Sequence, residues 1–188
     1  MKDVNYLLEG FTELTPHTMF NRCSGLTELR SSNLTLIDNY ATFANCTSVT
    51  NIDFPALQQI GRNNGWNIKQ IFYNMTSLKH INMPNLISIS QYNTTGNYGD
   101  NNCEMFGYCT SLEEIELPSL KYVGNIENND SYKINGRPKN MFIGCYALRS
   151  ARFPALEKLS VSGNGDGDAM FSRCYNLSDI QMPALKIF

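Results

Sequence analysis

Three glutamates fall within four residues of this sequence, Glu113, Glu114 and Glu116. Closely spaced carboxylates can serve as acid and base in glycoside hydrolysis, and on a strand Glu114 and Glu116 would share one face. The same residues also make a solvated acidic patch, and they occupy variable, solvent-facing slots, which favours the patch. Histidine adds little, because His17 and His80 are the only two and lie far apart. A Ser, His and Asp set can be assembled from any chain this rich in serine and aspartate, so its availability has no weight. The stretch "SGNGDGDAM" at 162–170 alternates Asp and Gly as calcium loops do. It lacks the closing bidentate Glu of that pattern and is simpler to read as a turn. No phosphate-cradling glycine motif occurs. The N-x-[ST] triplets at Asn33, Asn45, Asn74, Asn93, Asn129 and Asn176 matter only in a source that glycosylates secreted proteins.

Cysteine gives the first sign of order. Cys23, Cys46, Cys109, Cys145 and Cys174 each stand three residues after a phenylalanine, and Met75 fills the equivalent place after Phe72. Methionine can replace a buried thiol as an apolar filler but cannot form a disulfide, so the slot calls for a small or soft hydrophobe. Zinc would need paired C-x2-C units, and there are none. Bridges between neighbouring copies remain open on distance alone, provided their Cα atoms come within about 4.4 to 6.8 Å. Cys103 lies outside this series, six residues before Cys109, and is expected to be an exposed or loop-packed thiol.

Counting from the phenylalanines turns the series into a ruler. After Phe106, apolar or special residues follow at three, six, nine, eleven, twelve, fourteen and seventeen places: Cys109, Leu112, Ile115, Leu117, Pro118, Leu120 and Val123. The same offsets run from Phe43, Phe72, Phe142 and Phe171. Phe20 starts a sixth copy in which Ser31 and Ser32 replace the apolar residue and proline. Residues 1–18 fit as half a copy, with Tyr6, Leu8, Phe11 and Leu14 in the slots at nine, eleven, fourteen and seventeen, or as an N-terminal cap. The rest, 19–188, reads as a single repeat domain. Since the chain starts inside one copy and stops at the last slot of another, the expectation is a segment of a longer array.

Spacing then shapes each copy. In "LEEIEL" apolar and polar residues alternate, the period of a short strand with one buried face. Pro118 and its equivalents end that strand, having no ladder donor. Phe and Cys, three apart, are expected on one face of a helical turn on the return path. One such coil cannot cover its own apolar side, whereas a stack can.

The pattern F-x2-C-x2-L-x2-I-x-[LFM]-P-x-L-x2-[IVL] resembles the BspA-like class of leucine-rich repeats, found in bacterial surface proteins and in some protist surface proteins. The resemblance covers residues 19–188 apart from the insertions. It implies an α/β repeat solenoid, a right-handed stack of about six coils with short parallel strands on one face. It also implies a cell-surface or secreted location and adhesion or partner binding. The sequence departs from the usual run in the Met that often precedes the Phe and in the unequal coil lengths.

Composition fits a binding solenoid. With 42% apolar residues the chain can bury an extended core, and a formal charge of −2 argues against a nucleic-acid footprint. No window approaches the roughly 20 apolar residues of a spanning helix, and the residues call for no cofactor or metal. Two surfaces could bind. The phenylalanines at 20, 43, 72, 106, 142 and 171 are separated by 23, 29, 34, 36 and 29 residues, and the added length always falls after offset seventeen. Stacking should bring these insertions out along one edge. They hold Trp66, Tyr92, Tyr98 and Tyr132 among Asn, Gly and Ser, a composition that binding loops favour. The second surface is the open strand face, where offsets eight and ten present His80, Glu114, Glu116, Ser150 and Arg152 among other polar residues. The first function class is therefore recognition of a protein or glycan. The second is a spacer or assembly segment whose ends associate with further repeats.

Overall fold

The computed structural model describes residues 3–62, 68–90, 103–124, 139–159 and 169–186. In chain order the elements begin with α1 (Asn5–Glu9), β1 (Glu13–Leu14), β2 (Glu28–Arg30), β3 (Leu36–Ile37), β4 (Asn51–Asp53) and β5 (Gln59–Ile60). They continue with β6 (His80–Asn82), β7 (Ser88–Ile89), β8 (Glu114–Glu116), β9 (Tyr122–Val123), β10 (Ser150–Arg152), β11 (Lys158–Leu159) and β12 (Asp179–Gln181). Naming the coils one to six after Phe20, Phe43, Phe72, Phe106, Phe142 and Phe171, each carries a three-residue strand over offsets eight to ten. In coils one to five a two-residue strand follows near offset seventeen. All pairing is parallel and joins the same slot of consecutive coils, as in Leu29↔Ile52 and Ile37↔Ile60. The parallel strands of the sequence expectation are present, and they form a second line as well: the two-residue strands make one continuous six-stranded sheet, β1-β3-β5-β7-β9-β11.

The core lies between these lines and is built from the ruler. Six phenylalanine rings stack face to face from coil one to coil six, with centroids 5.5, 5.9, 5.2, 5.3 and 5.3 Å apart. Full burial of such a side chain is worth about 1.5–3 kcal/mol, and a favourable ring pair adds roughly 0.5–1.5 kcal/mol. Leu112, Ile115, Leu117 and Leu120 of coil four are all buried, with their equivalents in coil two.

The segment joining Phe to Cys is a tight turn, not the helical turn that the spacing predicts. The residue two places before the ring takes positive φ at Thr18, Ala41, Gln70, Glu104 and Asn140, and so does the residue two places after it at Arg22, Asn45, Asn74, Tyr108, Gly144 and Arg173. Left-handed residues at this spacing stop a right-handed helix from propagating. The Cys amide still closes on the Phe carbonyl, at 3.2 Å in coil one, so both side chains point inward as expected.

α1 packs beside β2. The Arg30 amide donates to Asn5 Oδ1 at 2.7 Å, the Ser32 amide to Glu9 Oε1 at 2.9 Å, and the Ser31 hydroxyl to the Leu8 carbonyl at 3.1 Å. Ser31 and Ser32 therefore depart from the repeat because helix groups meet them there. Ser31 is buried yet satisfied, since its hydroxyl also accepts the Leu34 amide. Tyr6, which the half-copy alignment puts in a buried slot, is 95% exposed, because a helix replaces the strand that would turn it inward. Leu8 and Leu14 are buried as aligned.

In denaturant melts, Leu112→Ala should cost about 2 to 5 kcal/mol, as removal of a packed side chain does. Glu113→Ala, whose ion pair with Arg149 is more than half exposed, should change stability by less than about 0.5 kcal/mol. Equal stability of the two variants would contradict the strand register.

Candidate functional site

On the three-residue strand line the ladder lapses once. The strands pair as β2-β4-β6 and as β12-β10-β8, and β6 does not pair with β8. At the other inner junctions, a carbonyl just before the strand accepts amides from the next coil: Thr50 accepts those of Lys79 and His80, and Glu113 accepts those of Arg149 and Ser150. The Lys79 carbonyl takes neither the Glu113 nor the Glu114 amide. Past the strand, the Phe54 and Leu117 amides reach Asn82 and Arg152, whereas the Met83 amide makes no such bond to coil four. The same two coils remain closed elsewhere. Gln70, Phe72 and Asn74 donate to Cys103, Met105 and Gly107, and β7 pairs with β9. The stack is thus opened as a wedge on one side only.

The wedge is a cleft of about 420 Å³, lined by Lys79, His80 and Ile81 from coil three and by Ser111, Glu113, Glu114 and Glu116 from coil four. Ile81 is half-buried, while its equivalents Ile52 and Ile115 are fully buried, which is the same opening seen from the core. Cα atoms of β6 and β8 still approach within 8 Å. Inserting a further strand would need about 9.6 Å, twice the usual strand spacing, so the cleft admits side chains but not a backbone. The Glu113 carboxylate is paired with Arg149. Glu114, Glu116 and Lys79 have no ion-pair or hydrogen-bond partner for their side chains among the described residues. Among those residues no group of three or more His, Cys, Asp or Glu could hold a metal ion.

Of the strand-face candidates, His80, Glu114 and Glu116 come together here. Arg152 does not join them, because its guanidinium is held 3.0 Å from the Asp179 carboxylate. Hydrogen bonds from Gln181 and Ser150, with Arg152, hold Asp179 below the usual carboxylate range. Ser150, expected on the open strip, is instead buried with its hydroxyl 3.0 Å from Asp179. The loop candidates Trp66, Tyr92, Tyr98 and Tyr132 lie outside the described residues.

The family profile described as "BspA type Leucine rich repeat region (6 copies)" matches residues 14–162 and 69–187. The chain belongs to the BspA-type leucine-rich repeat family. A leucine-rich repeat protein of T. pallidum is similar at 21% identity and a TM-score of 0.58, the match covering 89% of this chain and 62% of that one. A leucine-rich repeat protein from Bacteroides ovatus is 22% identical over 93% of this chain and 47% of its own, with a TM-score of 0.35. The chain therefore spans less than two thirds of either protein. No curated protein matches it.

The BspA-type coil also explains its cysteines. Each ladder thiol from Cys46 onward lies about one hydrogen bond from the Phe carbonyl of the coil before it: Cys46 to Phe20 at 3.1 Å, Cys109 to Phe72 at 3.2 Å, Cys145 to Phe106 at 3.1 Å and Cys174 to Phe142 at 3.0 Å. The slot thus wants a soft hydrophobe with a weak donor. Burial pushes the Cys46 and Cys109 thiols up to about 12. Cys103 corrects the sequence expectation. It is only 1% exposed, its thiol is pushed by burial to about 12, and its amide and carbonyl bond to Lys139 and Gln70 in the neighbouring coils. The insertion before it has already rejoined the stack at this residue. In the last two coils, interaction between the neighbouring thiols, helped by burial, raises Cys145, and the same interaction lowers half-buried Cys174.

Thiolate is the reactive species, and a thiol at about 12 is ionised only to roughly one part in 10⁴ at pH 8. Thiol titration of native protein at pH 8 should therefore label Cys174 first, with Cys46, Cys103 and Cys109 slow until the protein unfolds. Prompt labelling of Cys103 would contradict its place in the stack.

Proposed function

We propose that the protein is a recognition module that binds a protein partner on its strand face, with the cleft between β6 and β8 as the anchor point. The observation that carries this reading is the coincidence of two features at one place. The ladder opens only at this junction, and Glu114, Glu116 and His80 project there with carboxylates that nothing in the described structure engages. Leucine-rich repeat domains commonly bind proteins, and repeat families of this kind are generally non-enzymatic, so the acidic residues read as contacts and not as an acid and base pair. The family is generally extracellular or surface-associated, which supports adhesion at a cell surface as the setting. No helix among the described residues is long and apolar enough to cross a membrane.

A second reading, assembly through the ends of the stack, is favoured by coil six. There Ile180 is 52% and Tyr175 78% exposed, and Leu177, Met182 and Leu185 are only partly covered. The slots of Leu177, Met182 and Leu185 are buried in the inner coils, so this end offers apolar surface to a further coil.

Capture from matrix and host-cell proteins, alongside a glycan array, compares the unchanged protein with a Glu114→Gln/Glu116→Gln variant. The strand-face reading expects a retained protein whose affinity falls at least about ten-fold in the variant, with the melting transition unchanged. Undiminished retention by that variant, with loss on Trp66→Ala, Tyr98→Ala or Tyr132→Ala, would move recognition to the insertions. No specific retention by any form would leave the assembly reading.

A further inference from the structure

The chemistry of the partner can be taken one step further, on the footing of the strand-face reading above. We propose that the cleft between β6 and β8 receives basic side chains, arginine foremost, presented at alternate positions by an extended segment of a protein partner.

Charge complementarity is the first ground. The lining carries three carboxylates, and with Glu113 occupied by Arg149 there remain Glu114 and Glu116 against the single ammonium of Lys79. The open rung adds acceptors of its own, since the Lys79 carbonyl has lost the amides that would have filled it. A site rich in carboxylate and carbonyl oxygen selects a donor with several N–H groups. Guanidinium provides five in a planar fork that matches a carboxylate bidentately, which ammonium cannot do.

Spacing is the second ground. Glu114 and Glu116 are two apart on one strand, so their side chains leave the same face about 6.6 Å apart. An extended segment repeats its side chains on one face at that same interval, so basic residues at i and i+2 meet the two carboxylates in register. The opening is too narrow for that segment to enter as a strand. It must lie across the face with its side chains directed inward, and the apolar stems of those side chains cover half-buried Ile81.

A glycan fits less well. Sugar recognition draws on Trp, Tyr and Phe platforms, and the lining contains none of these. The exposed stacked pair Tyr146 and Tyr175 follows the Phe and Cys slots of coils five and six and does not line the cleft.

The test uses the whole chain, isotope-labelled, titrated with the peptide acetyl-Gly-Arg-Gly-Arg-Gly-amide and with its citrulline counterpart, which keeps shape and loses charge. The expected result is a shift of the His80, Glu114 and Glu116 amide resonances with the arginine peptide only. Its affinity should fall at least about ten-fold in Glu114→Gln/Glu116→Gln, rise several-fold in Lys79→Ala, and weaken as salt increases. Equal binding of the citrulline peptide, or shifts spread away from the cleft, would overturn the inference. If the arginine peptide leaves these amides unmoved while a captured protein or glycan still depends on Glu114 and Glu116, the basic-partner inference fails and the strand-face reading stands. If no ligand depends on them, both fail.

Discussion

Each coil sets its phenylalanine ring on the next at 5.2–5.9 Å, and the other contacts are phased by that repeat. A stacking interval close to the 4.7–4.9 Å spacing of paired strands lets backbone ladders form on both sides of the rings without shearing them apart. The thiol slot is held by the same register, since the sulfurs of Cys46, Cys109, Cys145 and Cys174 point at the carbonyl of the preceding phenylalanine. Individual coils lack a core of their own, so their stability is a sum of neighbour terms, as in other quasi-linear repeat folds. α1 meets the first coil through polar groups, and coil six leaves apolar slots partly uncovered.

A stack that is satisfied everywhere has little with which to recognise anything, which gives the β6/β8 junction its interest. Phenylalanine stacking, the turn ladder and the continuous sheet cross that junction unbroken, so the stack can forgo the strand rungs there without coming apart. Peptide groups released from a ladder in the interior would each cost about 1–3 kcal/mol. Here the Lys79 carbonyl and the Glu113 and Glu114 amides belong to exposed residues that line an open cleft, where water can satisfy them until a ligand replaces it. The unpaired carboxylates alongside are tolerable for the same reason.

Much of this architecture is legible in the sequence because repeated slots are repeated environments. Phe, Leu, Ile and Pro at fixed offsets dictate what each residue must touch once copies are superposed, and the strands and the buried Leu112 and Ile115 follow directly. Exceptions carry information too: Ser31 and Ser32 break the pattern where α1 accepts their hydrogen bonds. What escapes is set by backbone conformation and by local departures from symmetry. Nothing in the Phe-x2-Cys spacing distinguishes a helical turn from one with left-handed residues, since both turn the two side chains inward. Cys103 looks like part of an insertion because its spacing to Phe106 is shared by residues of no fixed type, yet the backbone there has already rejoined the ladder. His80-Ile81-Asn82 fills its slots as its neighbours do, so the lapse beside it leaves no mark in the pattern. His80, Glu114 and Glu116 are legible as part of an exposed strip, but not as the wall of a cleft.

Among the described residues, the strand-side ladder opens between coils three and four and at no other inner junction. Amide hydrogen exchange read residue by residue addresses it without any ligand. The amides of Lys79, Arg149 and Ser178 are bonded to the preceding coil, and the Glu113 amide, in the same slot, is not. Exchange at Glu113 should be faster by orders of magnitude than at Lys79, Arg149 and Ser178, in a protein whose Phe72 and Phe106 amides stay protected. Protection of Glu113 equal to that of its counterparts would mean the ladder is continuous, and the cleft, with the recognition site placed in it, would not exist.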